Sequence, residues 1–356
     1  GNAYFQMNQY RGSRWSGTSA FLRPVMSRDN LRVLTEAHVE KLEIDTAGGT
    51  RRATGVRVRI GNEAAQTIEA NREVLLAAGS IGSPQILQLS GIGAGALLQE
   101  KNIGSVHDLP GVGENLQDHL QVRSVYKVQN MVTLNQRANS LPGKIKMALE
   151  YFLFKSGPLT MPPSQLGAFA KSDPQQPTAN IEWHVQPLSL DKFGDALHSF
   201  NAITPSVCNL RPSSRGHIRI KSNDSNDYPA ITLNYLSTEE DRQVAVAGLR
   251  FTREIMAAPA LAKFQPREWK PGPELKTAAD LLQAAGDLGT TIFHPVGTCK
   301  MGHDELAVVN DRLQVHGVDG LRVIDASIMP MITSGNTNAP TIMIAEKGAE
   351  FVIQDG

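Results

Sequence analysis

Residues 290–302 read TTIFHPVGTCKMG, residues 321–330 read LRVIDASIMP and residues 334–352 read SGNTNAPTIMIAEKGAEFV, and these three stretches decide the fold. Glycines and prolines punctuate two turns around a short apolar strand, which leads into a closing helix. His294 comes just after Ile292 and Phe293, and Pro295 with Gly297 stops the element there, so its imidazole is expected at the rim of a site. The strand predicted over 321–324 runs into Asp325, Ala326 and Ser327, where two small side chains let a ligand approach the backbone closely. Asn338 is predicted immediately before a helix with Pro340 in its first turn, where the missing N–H of proline costs no intrahelical bond. Such a helix start presents free N–H groups and a partial positive charge. A neutral base, a strand-end turn and an electropositive helix start together suit a group that becomes anionic.

Upstream, residues 72–80 predict a second strand closed by Gly79, and Ser83-Pro84 open a helix that stops at Ser90-Gly91. Strand, small-residue turn and helix start is a geometry in which phosphates reach backbone N–H groups, and simple α/β packing explains the pattern equally well. Residues 30–44 and 54–60 predict two strands joined by the turn at Gly48-Gly49. Neither Gly91-Ile92-Gly93-Ala94-Gly95, which follows a helix, nor the run from Gly111 to Leu116, which lacks a third glycine, is a dinucleotide loop.

From Leu120 the texture changes. Residues 122–128 alternate, 144–154 read as a helix broken by Gly157-Pro158 and Pro162-Pro163, and strands are predicted over 180–185, 201–210, 216–221 and 230–235 without intervening helices. Such a run argues an antiparallel sheet with one face free to line a pocket. A helix is predicted over 239–257, capped by Thr238, with Glu239, Glu240 and Asp241 in its first turn.

The 356 residues allow two domains, and Lys plus Arg equal Asp plus Glu at 35 each, so nothing in the overall charge points to nucleic acid or an anionic membrane. Cys208 and Cys299 are too few for a disulfide framework or a Cys-based zinc site and fit a reducing compartment. With no apolar run of about 18 residues and no signal-like start, a soluble, cytoplasmic protein without a membrane span is expected. His294, His303 and His316 are too loosely spaced for a metal site, and without a G-x-S-x-G elbow there is no support for a hydrolase. Cys299 reads as a small buried residue.

The three C-terminal stretches, GSIGSPQILQLSGIG over 79–93 and DLPGVGENLQDH over 108–119 resemble motifs of the glucose-methanol-choline (GMC) family of FAD-dependent alcohol oxidoreductases. The likeness runs along the whole chain and is greatest to choline-dehydrogenase-like members. It implies a fold of α/β and α+β type, an FAD-binding Rossmann-like domain, incomplete here, with an inserted antiparallel-sheet substrate domain. The implied division is 1–120 for part of the FAD-binding domain, 121–289 for the substrate-binding domain and 290–356 for a return to the FAD-binding domain with the catalytic residues. Residues 1–22 resemble an internal family segment, so the family's N-terminal dinucleotide unit is expected from a missing segment or a second chain.

By this resemblance His294 is the base and Asn338 its partner at the substrate oxygen. FAD contacts are implied at Val39, Ala78, Gly79, Phe293, Asp325, Ala326, Asn338, Ala339 and Thr341. Val39 reads equally as a buried sheet valine, Asn338 as a helix N-cap, and His119, in a loop lying over the cofactor, as a hydrogen-bonded structural histidine. Gln165 stands where the carboxylate of choline-oxidising relatives is sought, and with aromatics at 6% a cation cage is not evident.

Oxidising an alcohol removes a hydroxyl proton and a hydride, and no side chain accepts hydride, so a cofactor must. A histidine titrating near neutrality suits the proton. The expected function is FAD-dependent oxidation of a primary alcohol to an aldehyde. Its partners are a small-molecule alcohol and an electron acceptor, either oxygen or a quinone or other carrier. A reading of another class stands beside it: an inactive fragment or binding module that retains the substrate domain only.

Overall fold

The computed structural model describes residues 1–192 and 194–356. The chain packs as two compact units, Gly1–Leu31 with His119–Arg211 and Thr238–Ile292, and Arg32–Asp118 with Pro212–Ser237 and Phe293–Gly356. The division departs from the expected one in two places, because residues 1–31 join the first unit and 212–237 join the second.

The first unit is built on an eight-stranded antiparallel sheet. Its central strands, Leu166–Ala170, Ile181–Gln186, Ala202–Asn209 and Leu120–Arg123, lie side by side in that order. Alternation sends Trp183 and Val207 to one face, where the helix Glu239–Met256 covers them. There Trp183 Nε1 donates to Thr252 Oγ1 at 2.8 Å, and Gly248 leaves room for Val207. That helix starts as its sequence implies, with the Asp241 N–H donating to Thr238 Oγ1 and three acids in its first turn.

The opposite face is polar and yet buried. Gln121, Cys208 and Glu182 are cross-strand neighbours in one row, and Arg123, Ser206 and His184 form the next. Phe5 stacks on the His184 ring with centroids 4.9 Å apart, and it fits only because position 167 is glycine: a Cβ there would lie 2.5 Å from Phe5 Cζ. Glu182 is 0% exposed, and burial raises its pKa to about 8, so it is a neutral acid at pH 7. Donor atoms of Glu182, His184 and Cys208 lie within 4.8 Å of one another, a grouping that spacing along the chain could not reveal.

In the second unit, Ala37–Asp45 and Arg52–Ile60 form a hairpin where two strands were expected, the first starting at Ala37 rather than at residue 30, and Gln66–Glu69 adds a third strand. Val74–Leu76 pairs in parallel with Leu321–Val323, with Leu76 opposite Val323. Leu87, Ile92, Val296, Val308, Leu321 and Ile344 belong to its core. Buried Arg322 bonds Glu73 at 2.8 Å and Asp355 at 2.6 Å, tying the central strand to the end of the closing helix, Asn338–Asp355. The strands predicted over 216–221 and 230–235 are a separate hairpin of this unit, His217–Arg219 with Ala230–Thr232, not part of the large sheet. Their alternation was sufficient to define strands, but alternation does not specify a sheet partner.

One helix starts earlier than the sequence suggested. It runs Gly79–Leu89 and encloses Pro84, rather than opening at Ser83-Pro84. An internal proline removes the N–H that would bond the carbonyl four residues back, here Ser80. The Thr298 hydroxyl donates to that carbonyl at 2.7 Å in its place. Among the described residues no helix is long and apolar enough to cross a membrane.

Candidate active site

The turn after Val74–Leu76 and the turn after Leu321–Val323 meet through Asp325. Its Oδ2 accepts from the Gly79 N–H at 2.9 Å and from Ser83 Oγ at 2.5 Å, and its Oδ1 accepts from the Ser327 N–H at 2.7 Å. Gly79 has φ +78, a left-handed conformation that a side chain would strain, and no atom lies within 4 Å of where a Cβ would be. The Ala78 N–H donates to Ser83 Oγ at 3.0 Å, so the first two N–H groups of this turn are held internally and are not open to a phosphate.

The His294 turn is laced onto the same framework. Ser80 Oγ donates to the Pro295 carbonyl at 2.7 Å, and the Cys299 N–H donates to the Ser327 carbonyl at 2.9 Å. Asn115 Nδ2 donates to the Gly297 carbonyl at 3.2 Å, and Gln117 Nε2 to the Pro330 carbonyl at 3.1 Å. Cys299 is fully buried, and burial pushes its thiol pKa up, so it is an inert filler.

His294 itself is 8% exposed, and burial lowers its pKa to about 4, leaving a neutral imidazole at physiological pH. Its backbone N–H donates to Asp118 Oδ1 at 2.9 Å, and the Tyr235 hydroxyl donates to Asp118 Oδ2. Phe293, just before it, takes φ +65 and is 65% exposed. A non-glycine residue in that region is strained, and the Asp118 clamp is one of the contacts that hold the neighbouring backbone.

Asn338 opens the closing helix as its first residue, with Thr337 at the N-cap position, and no side chain caps that end. Asn338 is therefore not the N-cap that its sequence context allowed. It is exposed, as is Ala339, while half-buried Thr341 donates its hydroxyl to the Thr337 carbonyl at 2.7 Å. Val39 is half-buried opposite Val58, beside a bulge in its strand that re-aims the following residues. Ala326 is half-buried, and its carbonyl accepts from the Gly297 N–H at 3.4 Å. His119 is fully buried with Nε2 bonded to the Leu210 carbonyl at 3.2 Å, a structural histidine of the first unit. His316 Nε2 bonds the Gly302 carbonyl at 3.0 Å, and exposed His303 lies 3.8 Å from Asp311, so each follows its own local partner.

Asp118, Tyr235, Asn115 and Gln117, which bond to the turn that carries His294 or to one another, were not singled out from the sequence. A polar cluster in an otherwise Gly- and Leu-rich loop was the only signal, and it does not say which backbone the polar groups meet.

Comparison with known proteins accords with this architecture. Models of the GMC oxidoreductase family match residues 1–121 and 212–345, the N-terminal and C-terminal portions respectively. An alcohol dehydrogenase (acceptor) of Pseudomonas putida is 39% identical over 356 residues, covering 99% of this chain and 64% of that protein. An oxygen-dependent choline dehydrogenase of Escherichia coli is 42% identical over 342 residues, covering 96% of this chain and 61% of the relative, so the chain spans under two thirds of either. Pyridoxine 4-oxidase from Mesorbium loti superposes with TM-score 0.84 at 29% identity, covering 98% of this chain and 64% of that one. Formate oxidase of Aspergillus oryzae superposes with TM-score 0.89 at 25% identity, covering 98% and 64%. The chain belongs to the GMC oxidoreductase family.

Proposed function

We propose that this chain carries the base and the substrate side of an FAD-dependent oxidoreductase that converts a primary alcohol to an aldehyde. The observation that carries the reading is the state of His294: buried, neutral, and held through its backbone by Asp118 and Tyr235. A neutral imidazole can accept the hydroxyl proton as the carbon gives up its hydride, and a fixed backbone keeps the ring in one place for doing so.

The residues present suit a flavin. The closing helix is 18 residues long, its N-terminus has no side-chain cap, and Asn338 and Ala339 are exposed there. An electron-rich ring placed at that end is stabilised by about 0.3 to 1 kcal/mol, more if partly buried. Gly79 offers open space beside its Cα at the end of the parallel strand pair. Bound FAD supplies the hydride acceptor that no side chain provides. Val39, Ala78, Gly79, Phe293, Ala326, Ala339 and Thr341 would line it. Asp325 would shape the turn, since its oxygens already accept three internal bonds. Asn338 has an exposed amide with which to hold the alcohol oxygen. The electron acceptor, oxygen or a quinone or other carrier, would reoxidise the enzyme.

The test is anaerobic mixing of the flavin-loaded protein with a panel of primary alcohols while the flavin absorbance is followed. Bleaching by at least one alcohol, abolished in His294→Ala, is the expected result. A protein that binds no flavin, or a bound flavin that no alcohol reduces, would hand the chain to the binding-module reading.

A further inference from the structure

The helix Leu141–Phe154 carries an apolar surface that the rest of the fold does not use. Only Met147 of its residues is buried. Leu141 is 71% exposed, Ile145 52%, Leu149 51%, Phe152 71% and Leu153 66%. At about 100° per residue these five fall within an arc of about 120°, while Met147 points the opposite way, toward the protein. Lys144 and Lys146 border the arc on its two sides, and Lys155 follows the helix end with its ammonium 4.3 Å from the Tyr151 ring centroid. Across residues 131–160 there are four basic residues, Arg137 and these three lysines, against one acid, Glu150. The whole-chain balance of zero conceals this local excess.

We propose that this helix docks the protein onto an anionic lipid surface, lying in the plane of the interface. A wide arc of Leu, Ile and Phe flanked by lysines has the pattern of an interfacial helix, whose apolar side chains enter the acyl boundary while the lysines reach back to the headgroups. Charge selects this occupant over a second copy of the chain. A two-fold contact through the same face would bring lysine rows together with only Glu150 to offset them, and Glu150 already lies 3.9 Å from Lys146. This inference is independent of the proposed reaction.

Flotation of the purified protein with phosphatidylglycerol/phosphatidylcholine vesicles, and with phosphatidylcholine alone, tests it. Binding to the anionic vesicles is expected to fall about fivefold for each of Lys144→Gln and Lys146→Gln. It should fall tenfold or more in Leu149→Ser/Phe152→Ser/Leu153→Ser. These side chains are exposed, so circular dichroism and the unfolding midpoint of the variants should match the parent. Absence of vesicle binding would overturn the proposal, as would binding that the serine variant leaves intact. So would a dimer, seen by light scattering, that the same three substitutions dissolve, since that would assign the face to a second copy.

Discussion

The backbone N–H of His294 donates to Asp118 Oδ1 at 2.9 Å, across 176 residues of chain, while the second oxygen of the same carboxylate accepts from Tyr235. Asp118 thus holds His294 through its main chain. Asp118→Ala removes both acceptors and is expected to cost about 1 to 3 kcal/mol of stability, because two donors lose their partner. It should also slow flavin reduction by alcohol on the order of tenfold to a hundredfold through misplacement of the imidazole. Asp118→Asn keeps one acceptor and should fall between. Stopped-flow reduction rates, with urea unfolding as control, check this: rates unchanged in Asp118→Ala would show that the clamp is irrelevant to the base.

The Ser80 carbonyl gives a second prediction, in the form of a cycle. Thr298→Val is nearly isosteric at a fully buried position and leaves the carbonyl without its 2.7 Å donor, at a cost of about 1 to 2 kcal/mol. Pro84→Ala alone is expected to be close to neutral. In the double variant the backbone N–H restored at position 84 can close the helical bond to Ser80, so most of the loss should be recovered. Additive effects in urea melts would mean that proline and threonine are not coupled.

These two cases show what the sequence could and could not reveal. Thr238 and the acids after it specify a helix start within four residues, and the structure has that start as read. The helix at Gly79 escaped the same logic because its tolerance of Pro84 depends on Thr298, whose hydroxyl meets the Ser80 carbonyl across 218 residues of chain. His294 stood out by residue type and turn chemistry, whereas Asp118 acts only through a contact made in three dimensions. The polar inner face of the large sheet was hidden for a related reason: alternation in Ile181–Gln186 shows that two faces differ, not that the polar one is buried.

That buried face predicts a pH profile. Glu182 keeps its proton up to about 8 in the folded state, against an ordinary 4.5 when unfolded. Between those values the folded protein holds the extra proton, so stability falls as pH rises, by at most about 1.4 kcal/mol per unit. His294 works in the opposite sense. Its folded pKa of about 4 lies below its ordinary 6.5, so it adds stability as pH rises between them. The two slopes oppose one another up to 6.5, and above it only the loss from Glu182 remains. Urea unfolding at pH 6.5 and pH 8 should show wild type losing about 2 kcal/mol more than Glu182→Gln. Equal losses would mean that Glu182 ionises freely.

Asn338 separates chemistry from folding because it is the first helical residue and not the cap. Replacing a true Asn cap with alanine costs about 1 kcal/mol, whereas at this exposed first position Asn338→Ala should leave stability within about 0.5 kcal/mol of wild type. A slower flavin reduction in that variant would therefore report on the substrate oxygen or the flavin itself. Asn338→Asp sharpens the point, since a carboxylate at a helix N-terminus stabilises the helix by roughly 0.3 to 1 kcal/mol. The same charge repels the electron-rich ring that the helix end would otherwise favour. The expected outcome is a protein at least as stable as wild type whose flavin potential is lower and whose reduction by alcohol is slower than in Asn338→Ala. If Asn338→Asp were reduced as fast as wild type, the helix end would not face the flavin, and the assignment of Asn338, Ala339 and Thr341 to that site would fall with it.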